Sequence, residues 1–593
     1  MSDDIKTVQM KLPLPQSEFI YQIPRPLPLD PKAVTDPREQ NDLAGCYVDG
    51  VGGVKQDEMF AAKLFRKAAD QKLASAQYNL GFCYYEGIGV EKDVKEAARY
   101  YRLAADQGLA MAQSALGSCY ILGIGVEANS QEGVRLYGLA VDQGLAKAQY
   151  YLGFCYEREI GVEKDGKEAV RLYQLATNQG LVEAQYNLAI CYSHGIGVEQ
   201  DKKESIRLCR LAAYRGSARA QYYLGICYAN GVGVEKDEVV AARFYQLAAE
   251  QSLASAQNNL GACYERGIGV EKNGKEAIRL YRLAAEQGLA SAQNNLGICY
   301  EDGLEVEKDE KEAVRLYRLA AGQDLAHAQY RLGVHYYEGI GVEKDIKEAI
   351  RLYQSAAKQG FAAAQNDLAF CYEFGIGVEK DTKEAVRLYR LAAMQGWANA
   401  QSNLGFCYAD GVGIAKDEKK AVRQFRLAAD QGMIKPQCIL GTFYENGIGV
   451  QPDVKTAIRY YLMAANVPQT MPTLSEAANM KKAEENLLAL KGKYYELIPS
   501  MIFSVLTREK QTIIWRDAFF KNMTDTDLSC AQYIEHINER QALIALGLTG
   551  FLPGVLQEII NQYAIEGPKK EITEQSAVKE PKIEPTKTNC LIM

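Results

Sequence analysis

Hydrophobic and polar positions recur along most of the chain with a period of 36 residues, and each period holds two stretches with the apolar spacing of an amphipathic helix. A glycine-containing stretch, GIGVEKD in several copies, separates the two stretches. The pattern therefore predicts a helix-turn-helix unit. In residues 73–108 the apolar positions are Ala76, Leu80, Cys83 and Tyr84 in the first helix and Ala97, Tyr101, Ala104 and Ala105 in the second.

One glutamine position gives the number of units. Gln77 recurs every 36 residues up to Gln437, which makes 11 copies without an insertion, and a divergent copy with one extra loop residue precedes them near Asn41. A two-helix unit cannot bury both of its apolar faces alone, so neighbouring units must stack. The sequence predicts an all-α protein, an α-solenoid of about 12 units over residues 40–468.

The ends of the predicted helices carry capping residues. The position of Gly87 is glycine in 10 of the 11 copies, with Glu159 as the exception, which indicates a left-handed residue after the first helix. The position of Asp93 is always Asp or Asn, whose side chains accept hydrogen bonds from the free N–H groups of a helix start. We expect Glu96 and its counterparts to complete a capping box with this residue.

The unit as a whole resembles a known family. The pattern A-x-A-Q-x-x-L-G-x-x-Y-x-x-G-x-G-V-x-x-D-x-x-E-A-x-x-x-Y-x-x-A-A-x-x-G is similar to the Sel-one-like repeat, a relative of the tetratricopeptide repeat, over about 430 residues. Members of this family act as adaptors in protein complexes, and the resemblance implies a protein-binding role here. It also implies that the first helix of each unit lines a concave face on which partners bind.

Aligned on that family, one column of residues is expected on the concave face. Tyrosine offers amphipathic contact area and asparagine pairs with peptide N–H and C=O groups, so the column suits an extended peptide. The alternative is that these are ordinary surface residues copied with the unit. The expected partner-binding residues are Tyr78, Tyr150, Tyr186, Tyr222, Asn258, Asn294 and Tyr330.

Composition and cysteine spacing argue against several classes of function. The net charge of −7 gives no field that attracts nucleic acid, no apolar run approaches 18 residues, and the N-terminus has no signal-peptide pattern. Cysteines recur with the 36-residue period, His335 fills one gap in the series, and no Cys-x-x-Cys pair is present. We therefore expect buried thiols in a reducing cytosol, with no metal, cofactor or disulfide.

An enzyme is the alternative reading, with a hydrolase or other active part in residues 469–566 or in the solenoid. The four histidines, His194, His327, His335 and His536, stand in different contexts without a catalytic or metal-binding motif around them. The GIGVEKD loops lack the third glycine of a dinucleotide site and the Gly-Lys-Ser/Thr of a P-loop. These observations favour a binding protein over an enzyme.

Residues outside the period form three further segments. Residues 1–39 are a proline-rich arm in which Arg25, Pro28 and Pro31 have the spacing of a ligand for Src-homology-three domains; alternatively, the arm lies on the first repeat. Residues 469–566 keep a helical pattern and are expected to cap the solenoid, and residues 567–593 are expected to be disordered.

The sequence ends in Cys590-Leu591-Ile592-Met593, which matches a C-a-a-X box of the farnesyl type. This predicts a lipid on Cys590, a prenyltransferase as a partner, and a peripheral position on the cytosolic face of a membrane. Prenylation needs a eukaryotic cytosol, whereas the near-identical repeats resemble those of proteins from intracellular bacteria. A bacterial effector modified by its host and a eukaryotic protein both remain open at this point.

Overall fold

The computed structural model describes residues 19–23 and 34–465, together with the single residues 479, 482, 485 and 486. The described part contains 24 α-helices and no strand, which confirms the all-α class. The first helices of the repeats are α1 (Pro37–Asp49), α3 (Ala74–Glu86), α5 (Ala110–Leu122), α7 (Ala146–Arg158), α9 (Val182–His194), α11 (Ala218–Asn230), α13 (Ala254–Arg266), α15 (Ala290–Asp302), α17 (Ala326–Glu338), α19 (Ala362–Phe374), α21 (Ala398–Asp410) and α23 (Ile434–Asn446).

The second helices alternate with these along the chain. They are α2 (Glu58–Asp70), α4 (Val94–Asp106), α6 (Ser130–Asp142), α8 (Gly166–Asn178), α10 (Lys202–Tyr214), α12 (Glu238–Glu250), α14 (Gly274–Glu286), α16 (Glu310–Ala321), α18 (Ile346–Lys358), α20 (Thr382–Met394), α22 (Glu418–Asp430) and α24 (Val454–Ala465). The chain divides into two units, Met1–Lys344 and Asp345–Met593, and within each unit every described helix packs against the next along the chain. Each unit is therefore an α-solenoid.

Asp or Asn caps each second helix, as the sequence predicts. The Asp93 carboxylate accepts hydrogen bonds from the N–H groups of Lys95 and Glu96 at 2.9 and 3.1 Å. The expected capping box is wrong, because the Glu96 carboxylate pairs with Arg99 in the next helical turn rather than with the Asp93 N–H. That N–H donates to the carbonyl of Tyr84, so the preceding helix already satisfies it.

Glycines with positive φ shape the loop that joins the two helices. Gly87 adopts the left-handed conformation (φ +83°) and donates its N–H to the carbonyl of Cys83, which confirms the predicted cap. Glu159 takes the same conformation at φ +60°, where a side chain costs on the order of 1 kcal/mol. This repeat therefore carries a strained residue that its neighbours avoid.

The second glycine of the loop lies against the previous repeat. A Cβ on Gly269 (φ +70°) would lie 2.0 Å from the backbone oxygen of Glu238, the first residue of α12. Among the GIGV-type loops of the described part, only one has a residue other than glycine at this position, and that residue is Glu305. The residue that faces Glu305 is Gly274 of the preceding repeat, which has no side chain. A large residue on one side of this contact is thus matched by the smallest residue on the other.

The recurring glutamine is buried between repeats. Gln77 Nε2 donates to the carbonyl of Ala69 in α2 at 3.3 Å, and its Oε1 accepts from Gln107 Nε2 after α4 at 2.7 Å. The same pair of bonds joins the ends of two successive second helices at Gln221, Gln257, Gln293, Gln365 and Gln401. Gln185 and Gln437 are different, because the Oε1 of each is buried without a hydrogen-bond partner in the described part. At Gln185 the donor position holds Arg215, which donates to a backbone carbonyl instead.

The periodic cysteines are core residues. All 12 cysteines in the described part are buried free thiols. Burial raises the pKa of Cys83 and of Cys119 to about 12, so both thiols stay neutral at physiological pH. The spacing therefore reflects packing, as the sequence analysis expects.

His335 replaces one of these thiols and brings a charged network into the core. Its Nδ1 donates to the carbonyl of Ile340 at 2.9 Å, and its Nε2 lies 3.5 Å from Glu301 Oε2. That carboxylate also accepts from Tyr317 and from Arg331. Burial disfavours charge on both partners, but these contacts outweigh it, lowering the pKa of Glu301 to about 2 and raising the pKa of His335.

Replacing His335 by cysteine should therefore remove a pH dependence. Because its pKa is raised on folding, the histidine contributes stability that is fully present below pH 6.5 and is lost as the pH rises through the folded-state pKa. Urea unfolding followed by circular dichroism should show wild-type stability falling above pH 6.5, and a flatter profile for His335→Cys. Parallel profiles for the two proteins would contradict the assigned network.

Candidate partner-binding surface

The first helices of successive repeats share one face, which we call the first-helix face. In α3 it consists of Ser75, Tyr78, Asn79, Phe82 and Glu86, and the other repeats contribute the equivalent positions. In the first repeat the register differs by one residue, so that Asn41, Asp42, Gly45 and Asp49 of α1 correspond to Tyr78, Asn79, Phe82 and Glu86 of α3.

The column expected to contact partners is mostly buried within this face. Tyr186 has 5% and Asn294 has 2% of its surface exposed, and of the seven predicted residues only Tyr330 is more than marginally exposed. The assignment of these positions to a non-core face is therefore wrong. Successive first helices pack against each other at this column, as the edge-on ring contact between Tyr186 of α9 and Tyr223 of α11 illustrates. The residues concerned are Tyr78, Tyr150, Tyr186, Tyr222, Asn258 and Asn294.

Between α7 and α11 the first-helix face carries a small cleft that eight side chains line. Hydroxyl, carboxylate and guanidinium groups share its lining with apolar side chains. Burial raises the pKa of Tyr150 to about 12, so the tyrosine at this cleft is neutral. The lining residues are Tyr150, Phe154, Glu157, Arg158, Tyr186, Asn187, Ile190 and Arg219.

Residues 19–22 of the N-terminal arm lie on the first-helix face of α1 and α3. Asn79 Oδ1 accepts from the backbone N–H of Ile20 and Asn79 Nδ2 donates to its carbonyl, both at 2.8 Å. Asn41 Nδ2 donates to the same carbonyl at 2.8 Å, and Asp42 accepts from the N–H of Gln22 at 3.0 Å. The three side chains bind backbone groups of an extended segment, and we call them the arm clamp.

Aromatic side chains flank the arm clamp. Phe19 stacks on Phe65 of α2 with 5.4 Å between ring centroids and meets Phe82 of α3 edge-on at 4.9 Å. The ring of Tyr21 lies over Gly45, where a Cβ would come within 2.1 Å of it, and its hydroxyl donates to Asp49. The face thus recognises the backbone of one residue and the rings of its two neighbours.

The sequence analysis did not identify the arm clamp. It places a surface of Tyr and Asn on the first helix, but the residues that bind the arm come mainly from the position of Asn79, one residue further along. A usable signal was the stretch Phe-Ile-Tyr-Gln-Ile at residues 19–23, because a short run of aromatic and β-branched residues within a proline-rich arm is typical of an extended segment that packs on a surface.

Several predicted sites lie outside the described residues. These are Arg25, Pro28 and Pro31 of the arm, Cys590, and residues 469–566 except for four positions, of which Asn479 accepts a hydrogen bond from Cys438 at 3.2 Å. Within the described ranges, no group of three or more His, Cys, Asp or Glu side chains is placed to hold a metal ion. No helix of these ranges has the length and apolar character needed to cross a membrane.

Comparison with known proteins identifies the repeat. The family model described as Sel1 repeat matches the chain 12 times, at residues 40–73, 74–109, 110–145, 146–181, 182–217, 218–253, 254–289, 290–325, 326–361, 362–397, 398–433 and 437–466. No curated protein matches the chain.

The chain is similar to several solved structures, and the first of them shows the same fold. The crystal structure of c5321, a protective antigen of uropathogenic Escherichia coli strains displaying an SLR fold, is 29% identical, with a TM-score of 0.57 over 87% of this chain and 99% of that one. A Sel1 repeat protein from Oxalobacter formigenes is 35% identical over 43% of this chain and 98% of its own, with a TM-score of 0.39. A putative Sel1 repeat protein from Klebsiella pneumoniae is 20% identical over 34% of this chain and 97% of its own, with a TM-score of 0.25.

Proposed function

Because the chain belongs to the Sel1 repeat family, whose solenoids bind proteins, we propose that it is a scaffold that holds extended segments of partner proteins on its first-helix face. The observation that carries this proposal is the arm clamp, where the face already binds an extended segment through its backbone. Backbone recognition of this kind is largely independent of sequence, and flanking pockets add specificity. A scaffold for several partners needs that combination.

Site-specific photo-crosslinking tests the proposed surface. The photoreactive residue p-benzoylphenylalanine is introduced in the full chain at Phe374, which lies on the first-helix face and is 56% exposed. The matched control carries it at Met394, at the end of a second helix and 79% exposed. We expect discrete protein adducts in cells from Phe374 and not from Met394. Equal adducts from both positions, or adducts from Met394 alone, would contradict the proposal.

The C-a-a-X box supports a second part of the proposed function. A farnesyl group on Cys590 would tether the scaffold to the cytosolic face of a membrane, where the bound partners are then concentrated. One lipid gives only marginal membrane affinity, so a further contact, from a partner or from the lysines upstream of Cys590, would complete the attachment. In this proposal the protein is an effector that acts in a eukaryotic host cytosol and is not an enzyme.

Replacing Cys590 by serine tests the tether. In a eukaryotic cell the wild-type chain should fractionate with membranes and carry the mass of a farnesyl group, with Leu591-Ile592-Met593 removed. The Cys590→Ser variant should move to the soluble fraction and lose that mass, with unchanged thermal unfolding of the solenoid. An unmodified wild-type chain ending at Met593 would refute the tether and leave the scaffold proposal standing.

A further inference from the structure

We propose that Asn366, Asp367 and Asn403 form a second peptide clamp, which binds an extended segment of a partner protein in the way that the arm clamp binds residues 19–22. This proposal rests on the proposed scaffold function and specifies one binding site for it. The site lies on α19 and α21, within the second unit. It is independent of the arm, whose binding site lies on α1 and α3 of the first unit.

The two sites are equivalent position by position. Asn366 and Asp367 of α19 occupy the positions of Asn41 and Asp42 in α1, and Asn403 of α21 occupies the position of Asn79 in α3. No other pair of neighbouring first helices in the described part repeats this Asn-Asp and Asn combination; Asn258 and Asn295 form a similar pair with Asn in place of Asp. The second clamp therefore has the complete set of groups that the arm clamp uses.

The hydrogen bonds within the two clamps also agree. In the arm clamp Asn79 Nδ2 donates to Asn41 Oδ1 at 2.9 Å, and Asn41 Nδ2 donates to Asp42 Oδ1 at 3.2 Å. The corresponding bonds of the second clamp are 3.1 Å, from Asn403 to Asn366, and 2.9 Å, from Asn366 to Asp367. Since these bonds fix the amide orientations, the second clamp presents the donors and acceptors that bind Ile20 in the first.

The apolar surroundings decide what the second clamp accepts. Phe406 occupies the position of Phe82, the residue that contacts the ring of Phe19 in the arm clamp. Lys435 Nζ lies 4.3 Å from the ring centroid of Phe406. An aromatic side chain before the clamped residue therefore finds an equivalent ring. Phe370 and Phe374 are 42% and 56% exposed, and their centroids lie 4.6 Å apart, so they extend the apolar surface on the other side.

Phe370 also excludes the arm of a second copy of this chain. It stands at the position of Gly45, which the ring of Tyr21 covers so closely that no Cβ fits beneath it. A segment bound to the second clamp must therefore carry a small residue where the arm has Tyr21. We infer that the occupant is a partner segment with an aromatic residue, any residue, and then a small residue, in extended conformation.

A fluorescent peptide with the sequence of residues 15–24 and the change Tyr21→Ala is the probe. Fluorescence anisotropy with the full chain should show saturable binding, at least tenfold weaker for the Asn403→Asp variant, which keeps its size but loses the amide donor. The Asn295→Asp variant is the matched control and should bind normally. The peptide with Tyr21 retained should bind at least tenfold more weakly than the probe, and Phe370→Gly should restore its binding.

Circular dichroism melting of each variant confirms that the fold is kept. An absence of saturable probe binding, an unchanged affinity in Asn403→Asp, or an equal loss in Asn295→Asp would overturn the proposal. If the two peptides bound equally well, the arm of a second copy would fit the second clamp. That result would overturn the assignment of the site to a partner protein. Each of these outcomes leaves the photo-crosslinking test of the scaffold unaffected, so the two proposals fail separately.

Discussion

The Gly269→Ala variant is expected to unfold at markedly lower urea concentration than the wild-type chain, with a loss of about 3 kcal/mol or more. A left-handed residue with a side chain costs roughly 1–2 kcal/mol, and forcing atoms into a packed contact costs roughly a further 1–3 kcal/mol. Both apply here, because Gly269 has φ +70° and its new Cβ would lie 2.0 Å from the Glu238 oxygen. The loop must then move away from α12.

Gly288→Ala is the matched control for this experiment. Gly288 follows the second helix of the same repeat and has φ +85°, but a Cβ there meets no atom within 4 Å. The Gly288→Ala variant should lose only about 1 kcal/mol of stability, which is the cost of placing a side chain on a left-handed residue. Urea unfolding followed by circular dichroism measures both variants. Similar losses for the two would show that contact between repeats at the loop contributes little.

Removing residues 1–33 should destabilise the first repeats, and adding a peptide of residues 15–24 should restore them. The truncation exposes Phe65 and Phe82 to water and leaves the arm clamp without the Ile20 backbone, at a cost of about 2–4 kcal/mol. Because repeats contact only their neighbours, hydrogen exchange should rise in α1 to α3 and stay unchanged in α11 to α15. Mass spectrometry of exchanged peptides gives both readings.

The peptide provides the control for this experiment. The same peptide with Phe19→Ala loses both ring contacts and should fail to restore protection in α1 to α3. If truncation leaves exchange in α1 to α3 unchanged, the arm contributes nothing to the fold, and the arm clamp is not a model for partner binding.

The sequence predicts the helices of this solenoid well because each boundary has a local physical cause. Asp93 caps a helix start through its own carboxylate, and Gly87 ends the preceding helix by adopting positive φ, so neither depends on the tertiary structure. The capping box fails at Glu96 because the Asp93 N–H is satisfied by Tyr84, a contact between two helices that no local rule contains.

The 36-residue period does not predict which side of the first helix faces the core. Second helices such as α4 bury one stripe, whereas α3 buries the unbroken run of residues 76–83, so a helical pattern does not distinguish its partner side from its core side. The family alignment predicts that residue 78 and its counterparts lie on the surface, but most of them are core residues. The arm clamp needs residues 20 and 79 to meet, and the sequence goes only as far as the alternative that the arm lies on the first repeat, without identifying the residues in contact.

The matched pair of Gly274 and Glu305 limits how this gene can change its number of repeats. Recombination between 36-residue units can add or delete a unit wherever a loop glycine meets the backbone of the preceding repeat, because a glycine fits against any residue at that position. Deleting the unit of residues 254–289 is different, since it would bring Glu305 against Glu238 in place of Gly274. The repeat of residues 290–325 therefore depends on the glycine of the repeat before it, whereas the repeat of residues 254–289 does not depend on the one after it.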